Sequence, residues 1–187
     1  MFSRAKCAVA IAALLVGAGT ASAQGTRQRI TAGPHGGIRS VTQSRGNGQF
    51  TGTRQAVGPH GAAYTNQRSV SQGHSTDTRS VTGPNGATST TQRTAGNGEQ
   101  TSSKTVTGQN GGTYTNQRFT GDGQYSDIRT ATGPNGATYT NQRSASDGQF
   151  SDTRTATGPM GGSYTDQRTA SNGQVTNTRT GIPAPQP

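Results

Sequence analysis

Gly33, Gly58, Gly83, Gly108, Gly133 and Gly158 recur at a spacing of 25 residues through six copies, with no insertion or deletion between them. A strict period means that each copy occupies the same geometric slot, which points to a repeat array and away from a folded globule with one core. The best-preserved copy opens on Gly133-Pro134-Asn135-Gly136. It continues through Thr138-Tyr139-Thr140-Asn141-Gln142-Arg143 to Asp147-Gly148. It then runs through Gln149-Phe150-Ser151-Asp152-Thr153-Arg154 to Thr157.

Each copy carries two turn signals. The first, Gly-Pro-Asn-Gly or a close variant, opens on the recurring glycine, which is read as a turn residue. It combines a proline that presets φ with a later glycine free to take φ > 0. The second is Asn47-Gly48, Asn97-Gly98, Asp122-Gly123, Asp147-Gly148 or Asn172-Gly173, with Gln72-Gly73 the one departure. Such pairs favour the two-residue type I′ hairpin, which needs positive φ at both central residues. Between turns lie stretches of about nine residues rich in Thr, Tyr, Phe and Val, as strands prefer. The expected fold is therefore all-β: tandem 25-residue repeats forming an antiparallel β-meander. The alternatives are a β-solenoid with one copy per coil, or a chain that stays disordered until assembled.

The turns predict a register. A two-residue loop at Asp147-Gly148 sets Ala145 opposite Phe150, Arg143 opposite Asp152, Asn141 opposite Arg154 and Tyr139 opposite Ala156. A three-residue loop at Pro159-Met160-Gly161 sets Asp152 opposite Arg168 and Ala156 opposite Tyr164. The two loop types agree, so the strands lie without stagger. Opposite charges then face one another, as cross-strand pairing favours. Arg68, Arg93, Arg118, Arg143 and Arg168 recur in one slot, with Asp77, Asp127 and Asp152 across from them. In the last copy Asn177 replaces the aspartate, and Asp166 appears where it faces Arg179.

Strand alternation sorts the side chains onto two faces. One carries a row of Tyr64, Tyr114, Tyr139 and Tyr164, a second row of Phe50, Tyr125 and Phe150, and the Arg/Asp/Asn band between them. These aromatic rows are a candidate assembly face. The other face is expected to be almost entirely Thr, Ser and Gln.

Composition limits what such a sheet can bury. Hydrophobic residues make up 25% of the chain, there is no Trp, and both leucines, Leu14 and Leu15, precede the repeats. A large apolar core is excluded. Those leucines sit in a segment of a different kind: Arg4 and Lys6, an apolar run from Cys7 to Val16, then Ala21-Ser22-Ala23. This pattern predicts a secretory signal over residues 1–23, cleaved before Gln24, which leaves no membrane span and no cysteine. A leading half-repeat strand over 24–32, six hairpin repeats over 33–180 and a Pro-rich tail over 181–187 complete the division. After cleavage, 15 basic residues face 7 acidic ones, a net charge of +8. That balance suits an anionic polysaccharide or another polyanion.

Catalytic motifs are lacking. No carboxylate pair, Ser/His/Asp set or cysteine nucleophile stands apart from the repeat, so no catalytic residue, cofactor or small-molecule substrate is assigned. His35 and His60 share a turn slot that later copies fill with Asn or Met, which marks them as turn residues and not metal ligands.

Over residues 33–180 the repeat resembles the curlin subunits of bacterial curli fibres: export, short tandem units without cysteine, and recurring Gly, Gln, Asn and Ser/Thr, as in Gln142, Gly148 and Gln149. It departs from that family in its longer period, its two arginines per unit and its lack of Ser-x5-Gln phasing. The resemblance implies an extracellular amyloid-like fibre subunit of a biofilm matrix. Two functions are therefore expected. The first is a self-associating structural protein or adhesin of the cell envelope or extracellular matrix. The second is a surface-binding module for polyanion, carbohydrate or ice, working through repeated Arg or Thr arrays. The proline-rich tail is expected to guard the last edge strand and leave the first one free to grow.

Overall fold

The structure, a computed structural model, describes residues 25–33 and 36–184. The predicted signal segment, Gln24, Pro34, His35 and the last three residues lie outside the described residues.

Thirteen strands follow one another: β1 (Gly25–Ala32), β2 (Ile38–Gly46), β3 (Gln49–Val57), β4 (Ala63–Ser71), β5 (His74–Thr82), β6 (Thr88–Gly96), β7 (Glu99–Thr107), β8 (Thr113–Gly121), β9 (Gln124–Thr132), β10 (Thr138–Ser146), β11 (Gln149–Thr157), β12 (Ser163–Ser171) and β13 (Gln174–Ile182). They form one open sheet in sequence order, every neighbouring pair antiparallel. Twelve inter-strand steps of about 4.8 Å make the sheet roughly 58 Å wide. A solenoid would instead pair equivalent positions 25 residues apart in parallel, and no such pair occurs among the described residues.

Both loop types take their expected form. At the two-residue loops the non-glycine residue sits at positive φ: Asn47, Gln72, Asn97, Asp122, Asp147 and Asn172 all lie between 48° and 54°. The following glycine is also positive, as a type I′ turn requires. At the longer loops Gly158 N donates to Gly162 O at 2.7 Å, which closes a loop over Pro159-Met160-Gly161, with Gly161 at φ 86°. That is a type I turn followed by a left-handed residue, the usual three-residue hairpin. The resulting ladder pairs Arg143 with Asp152, Asp152 with Arg168, and Ala156 with both Tyr139 and Tyr164.

The recurring glycines flank the longer turns, and two details at the end of the sheet differ from expectation. Gly33, Gly58, Gly83, Gly108, Gly133 and Gly158 flank the three-residue loops and close them, and do not occupy their left-handed positions. Gly58 N donates to Ala62 O at 2.7 Å, Gly83 N to Ala87 O at 2.7 Å, and Gly108 N to Gly112 O at 2.8 Å. Positive φ falls instead on the glycine three residues later, as at Gly61, Gly86 and Gly111. A Cβ built on any of the six flanking glycines would meet its nearest neighbour at 3.5–3.7 Å, an ordinary contact. The first detail is the extent of the last strand. Strand β13 runs on through Gly181 and Ile182, which pair with Tyr164 and Ser163, and stops at Pro183, which has no N–H to give. The predicted tail therefore begins two residues later. Second, the described start of the tail turns over the end of β12: a Cβ built on Gly162 would lie 3.0 Å from Ala184 N.

No hydrophobic side chain is buried among the described residues; the buried polar or charged ones are Asn66, Asp127, Asn141 and Asp152. A single sheet has no second layer to cover its apolar atoms. Ladder hydrogen bonds and cross-strand side-chain pairs must hold it together.

Gln72 occupies the one type I′ slot filled by neither Asn nor Asp, at φ 48°. Left-handed backbone costs a long side chain more than it costs Asn. Gln72→Asn should therefore raise stability by about 0.5–1 kcal/mol. Urea unfolding of the two proteins checks this, and a lower midpoint for the variant contradicts it.

Candidate functional site

Every basic residue of the strands falls on one face. The register shows this by direct opposition: Arg27 faces Gln43, Arg29 and Arg54 face Val41, Arg39 faces Ala56, Arg45 faces Phe50, and Arg68 faces both Gly52 and Asp77. Further along, Arg118 and Arg143 face Asp127, and Arg154 faces Asn141. Lys104 faces Asn116, and Arg179 faces Asp166. The aromatic rows share this face: Tyr64, Tyr114, Tyr139 and Tyr164 at one end of the strands, Phe50, Tyr125 and Phe150 at the other.

The charge band is organised around aspartates. Asp152 accepts from Asn141 Nδ2 at 2.6 Å on one oxygen and from Arg154 at 2.8 Å on the other, with Arg143 Nε at 3.4 Å. Asp127 repeats the arrangement with Asn116, Arg129 at 2.7 Å and Arg118 at 3.6 Å, and also accepts from Tyr125 Oη at 3.3 Å. The nearest cation in each case is two residues along the same strand, not across the ladder. The contacts of Arg129 and Arg154 with these aspartates were not among those expected from the turns. Spacing of two along a strand puts residues on one face, which is the signal that could have found them.

Other expected pairs are opposed in the ladder without meeting as ions. Asp77 faces Arg68 and Arg93, yet it accepts from Asn66 Nδ2 at 3.0 Å and makes no ion pair among the described residues. Arg168 faces Asp152 and Asn177, and Arg93 faces Ser102, also without an ion pair. Arg179 Nε lies 3.5 Å from Asp166.

Asp127 has no exposed surface, yet it is covered by its own partners and not by a second layer. Burial works to raise its carboxyl. Hydrogen bonds from Arg129 and Asn116 and the charges of Arg129 and Arg118 outweigh burial and hold the group low. Asp152 follows the same balance, with Arg154, Asn141 and Arg143 in those roles. Arg129 and Arg154 are held correspondingly high by their aspartates.

The slot of these aspartates changes character toward the first strand. Read along the repeats it holds Arg27, Gly52, Asp77, Ser102, Asp127, Asp152 and Asn177. Residues 25–76 contain six arginines and no Asp or Glu, whereas residues 77–184 contain nine basic and seven acidic residues. Six of the eight net charges thus sit on β1–β4. This asymmetry was legible in the position of the first acidic residue, Asp77. Over β1–β3 the same face opens into a groove of about 680 Å³ lined by Arg27, Arg29, Arg39, Val41, Gln43 and Ala56, among others.

The opposite face is mostly hydroxyl-bearing, with cross-strand contacts such as Ser80 to Thr90 and Thr94 to Thr101. It is less uniform than expected. Phe119 and Ile128 project from it beside Thr101 and Ser126, because each fills a slot that other copies give to Ser or Thr. Among the described residues no group of three or more His, Cys, Asp and Glu is placed to hold a metal ion.

No family model, curated protein or solved structure matches the chain. The charge band carries its own test. Asp127 and Asp152 are both depressed in the folded state, so their contribution is complete above the unfolded carboxyl's value of about 4. It is lost as pH falls through the lower folded values. The thermal midpoint should hold from pH 7 to about 5 and drop below about 4. Asp152→Asn should cost about 1–2 kcal/mol at neutral pH. Asp147→Asn, in a turn slot that takes Asn elsewhere, should cost little. A midpoint that rises or stays level down to pH 2 contradicts this account.

Proposed function

We propose that the protein is an exported, self-associating structural protein of the cell envelope or extracellular matrix. The observation that carries this reading is a thirteen-stranded single layer with no buried hydrophobic side chain and two edge strands exposed along their whole length. An unpaired edge presents a row of N–H and C=O groups that another chain can complete. The exposed Tyr139 and Tyr164 add apolar area on one face that a second copy would cover.

Strand number and charge favour one way of joining. Thirteen alternating strands leave β1 and β13 running in the same direction, so a head-to-tail join would be a parallel ladder. It would also set Arg179 beside Arg27 and Arg29. An antiparallel join that keeps the charged face on one side must be two-fold, β1 to β1 or β13 to β13. The first brings the Arg27 and Arg29 pairs of two copies together with no acid nearby. The second, centred on Thr178, sets Arg179 of one copy against Asn177 of the other. That repeats the Asn141–Arg154 opposition found inside the sheet. The arginines of β1 therefore weigh against growth at the first edge, where the proline-rich tail alone would have directed it.

Sedimentation of purified Gln24–Pro187 should show dimers and larger β-rich species rising with concentration. Asn177→Lys, which sets like charges opposite at the β13 join, should reduce that association at least tenfold. A monomer at millimolar concentration, or association indifferent to Asn177→Lys, contradicts the reading. Export has a separate check: mass spectrometry of secreted protein should give a chain beginning near Gln24, and retention of Leu14-Leu15 in it contradicts cleavage.

A further inference from the structure

We propose that the acid-free arginine face of β1–β3 is a binding site for a linear polysaccharide that carries a carboxylate on its sugars. The argument begins with what the same face does in later repeats. There, arginines flank an aspartate and hold its carboxylate at 2.7–3.6 Å, as Arg129 and Arg118 hold Asp127. In β1–β3 the along-strand half of that frame persists: Arg29 and Arg54 fill the slots of Arg129 and Arg154, Gln43 stands where Arg118 and Arg143 do, and Arg39 and Arg45 are added on the same face. The carboxylate does not persist. Its slot holds Gly52 in β3 and is reversed to Arg27 in β1. Arg27, Arg29, Arg39, Arg45 and Arg54 are all exposed, and none has an acidic residue within its strand or either neighbour.

Such a frame repels itself unless an outside anion enters it. Guanidinium groups match carboxylates in geometry as well as charge. Their placement suits an extended chain and not a single ion. Arg27 and Arg29 are about 6.8 Å apart along β1, and Arg29 and Arg54 about 9.6 Å apart across β2. Between them the groove floor is Val41, Gln43 and Ala56, small apolar and amide surface on which sugar rings can lie.

A single-stranded nucleic acid is the competing polyanion, and the aromatic groups argue against it. Such strands stack their bases on exposed aromatic rings. The one ring on these three strands, Phe50, is already covered, with Arg45 Cζ 5.2 Å from its centroid, and the next, Tyr64 of β4 opposite Ala56, is half-buried. The Phe50 ring also folds over Gly52, where a Cβ would meet it at 3.0 Å.

The test uses the full mature chain and a labelled oligogalacturonate, with neutral dextran and a thymidine oligonucleotide of matched length as the other arms. The oligogalacturonate should bind in a salt-sensitive manner, and dextran should not. Arg29→Gln with Arg54→Gln should weaken binding at least tenfold, while Arg179→Gln at the far edge should leave it unchanged. Gln43→Glu, nearly isosteric and opposite Arg27, supplies a carboxylate from within. It should weaken binding at least tenfold and raise the thermal midpoint. Asn177→Lys, which opposes self-association, should leave binding intact, so failure of one reading is distinct from failure of the other. Wild-type affinity in both Gln43→Glu and the double arginine variant overturns the site. Tighter binding of the oligonucleotide at equal salt overturns the carboxylate assignment. Binding of dextran overturns the electrostatic basis.

Discussion

Everything in this sheet depends on the agreement between its two kinds of turn. The two-residue loops need a positive φ at both central positions, and the three-residue loops close between Gly158 and Gly162 and their equivalents. Each fixes a pairing, and the pairings coincide, so no strand is shifted against the next. A shift of one residue at any loop would send the cations of every later strand to the other face. Because it does not occur, all the strand cations lie on one surface, and those of the later repeats share it with the few aspartates.

That arrangement substitutes a polar band for an apolar core. Asp127 and Asn141 are the most buried side chains among the described residues, and both are covered by neighbouring side chains on a single layer. Desolvating a carboxylate is costly unless donors replace the lost water. Here Asn116 or Asn141 takes one oxygen and two arginines approach the other. The donors outweigh the cost, as the lowered carboxyls show. The same arrangement limits stability. Exposed charge pairs contribute little each, and a sheet without a second layer keeps its edges available. The proposed association between copies rests on that limit.

The turn pairs at Asn47-Gly48 through Asn172-Gly173, the register of Arg143 with Asp152 and the sharing of one face by the tyrosines were all legible in sequence. Turn chemistry and alternation are local rules, and each repeat states them again. The period itself was marked by Gly58, Gly83 and Gly108, although the left-handed backbone lies three residues on, at Gly61, Gly86 and Gly111. What was not legible depends on more than register. Opposition in a ladder puts Asp77 across from Arg68 and Arg93, but the side chain turns to Asn66 instead. Arg129 and Arg154 reach their aspartates along the strand, a route that cross-strand logic overlooks. Phe119 and Ile128 interrupt the hydroxyl face because single substitutions escape a consensus reading. The arginine-only region of β1–β3 was visible in the absence of acids before Asp77, yet its meaning needed the later repeats as a template for what those arginines hold.

The unstaggered single-layer meander is tested most directly by a distance between equivalent positions far apart in the array. Thr78 in β5 and Thr153 in β11 fill the same slot three repeats apart. Six inter-strand steps should separate spin labels at these sites by about 29 Å, measured by pulsed electron resonance on diluted protein. A coil of stacked 25-residue turns would place them about 14 Å apart. A narrow distribution near the longer distance is the result the account predicts, and one centred on the shorter distance would contradict it.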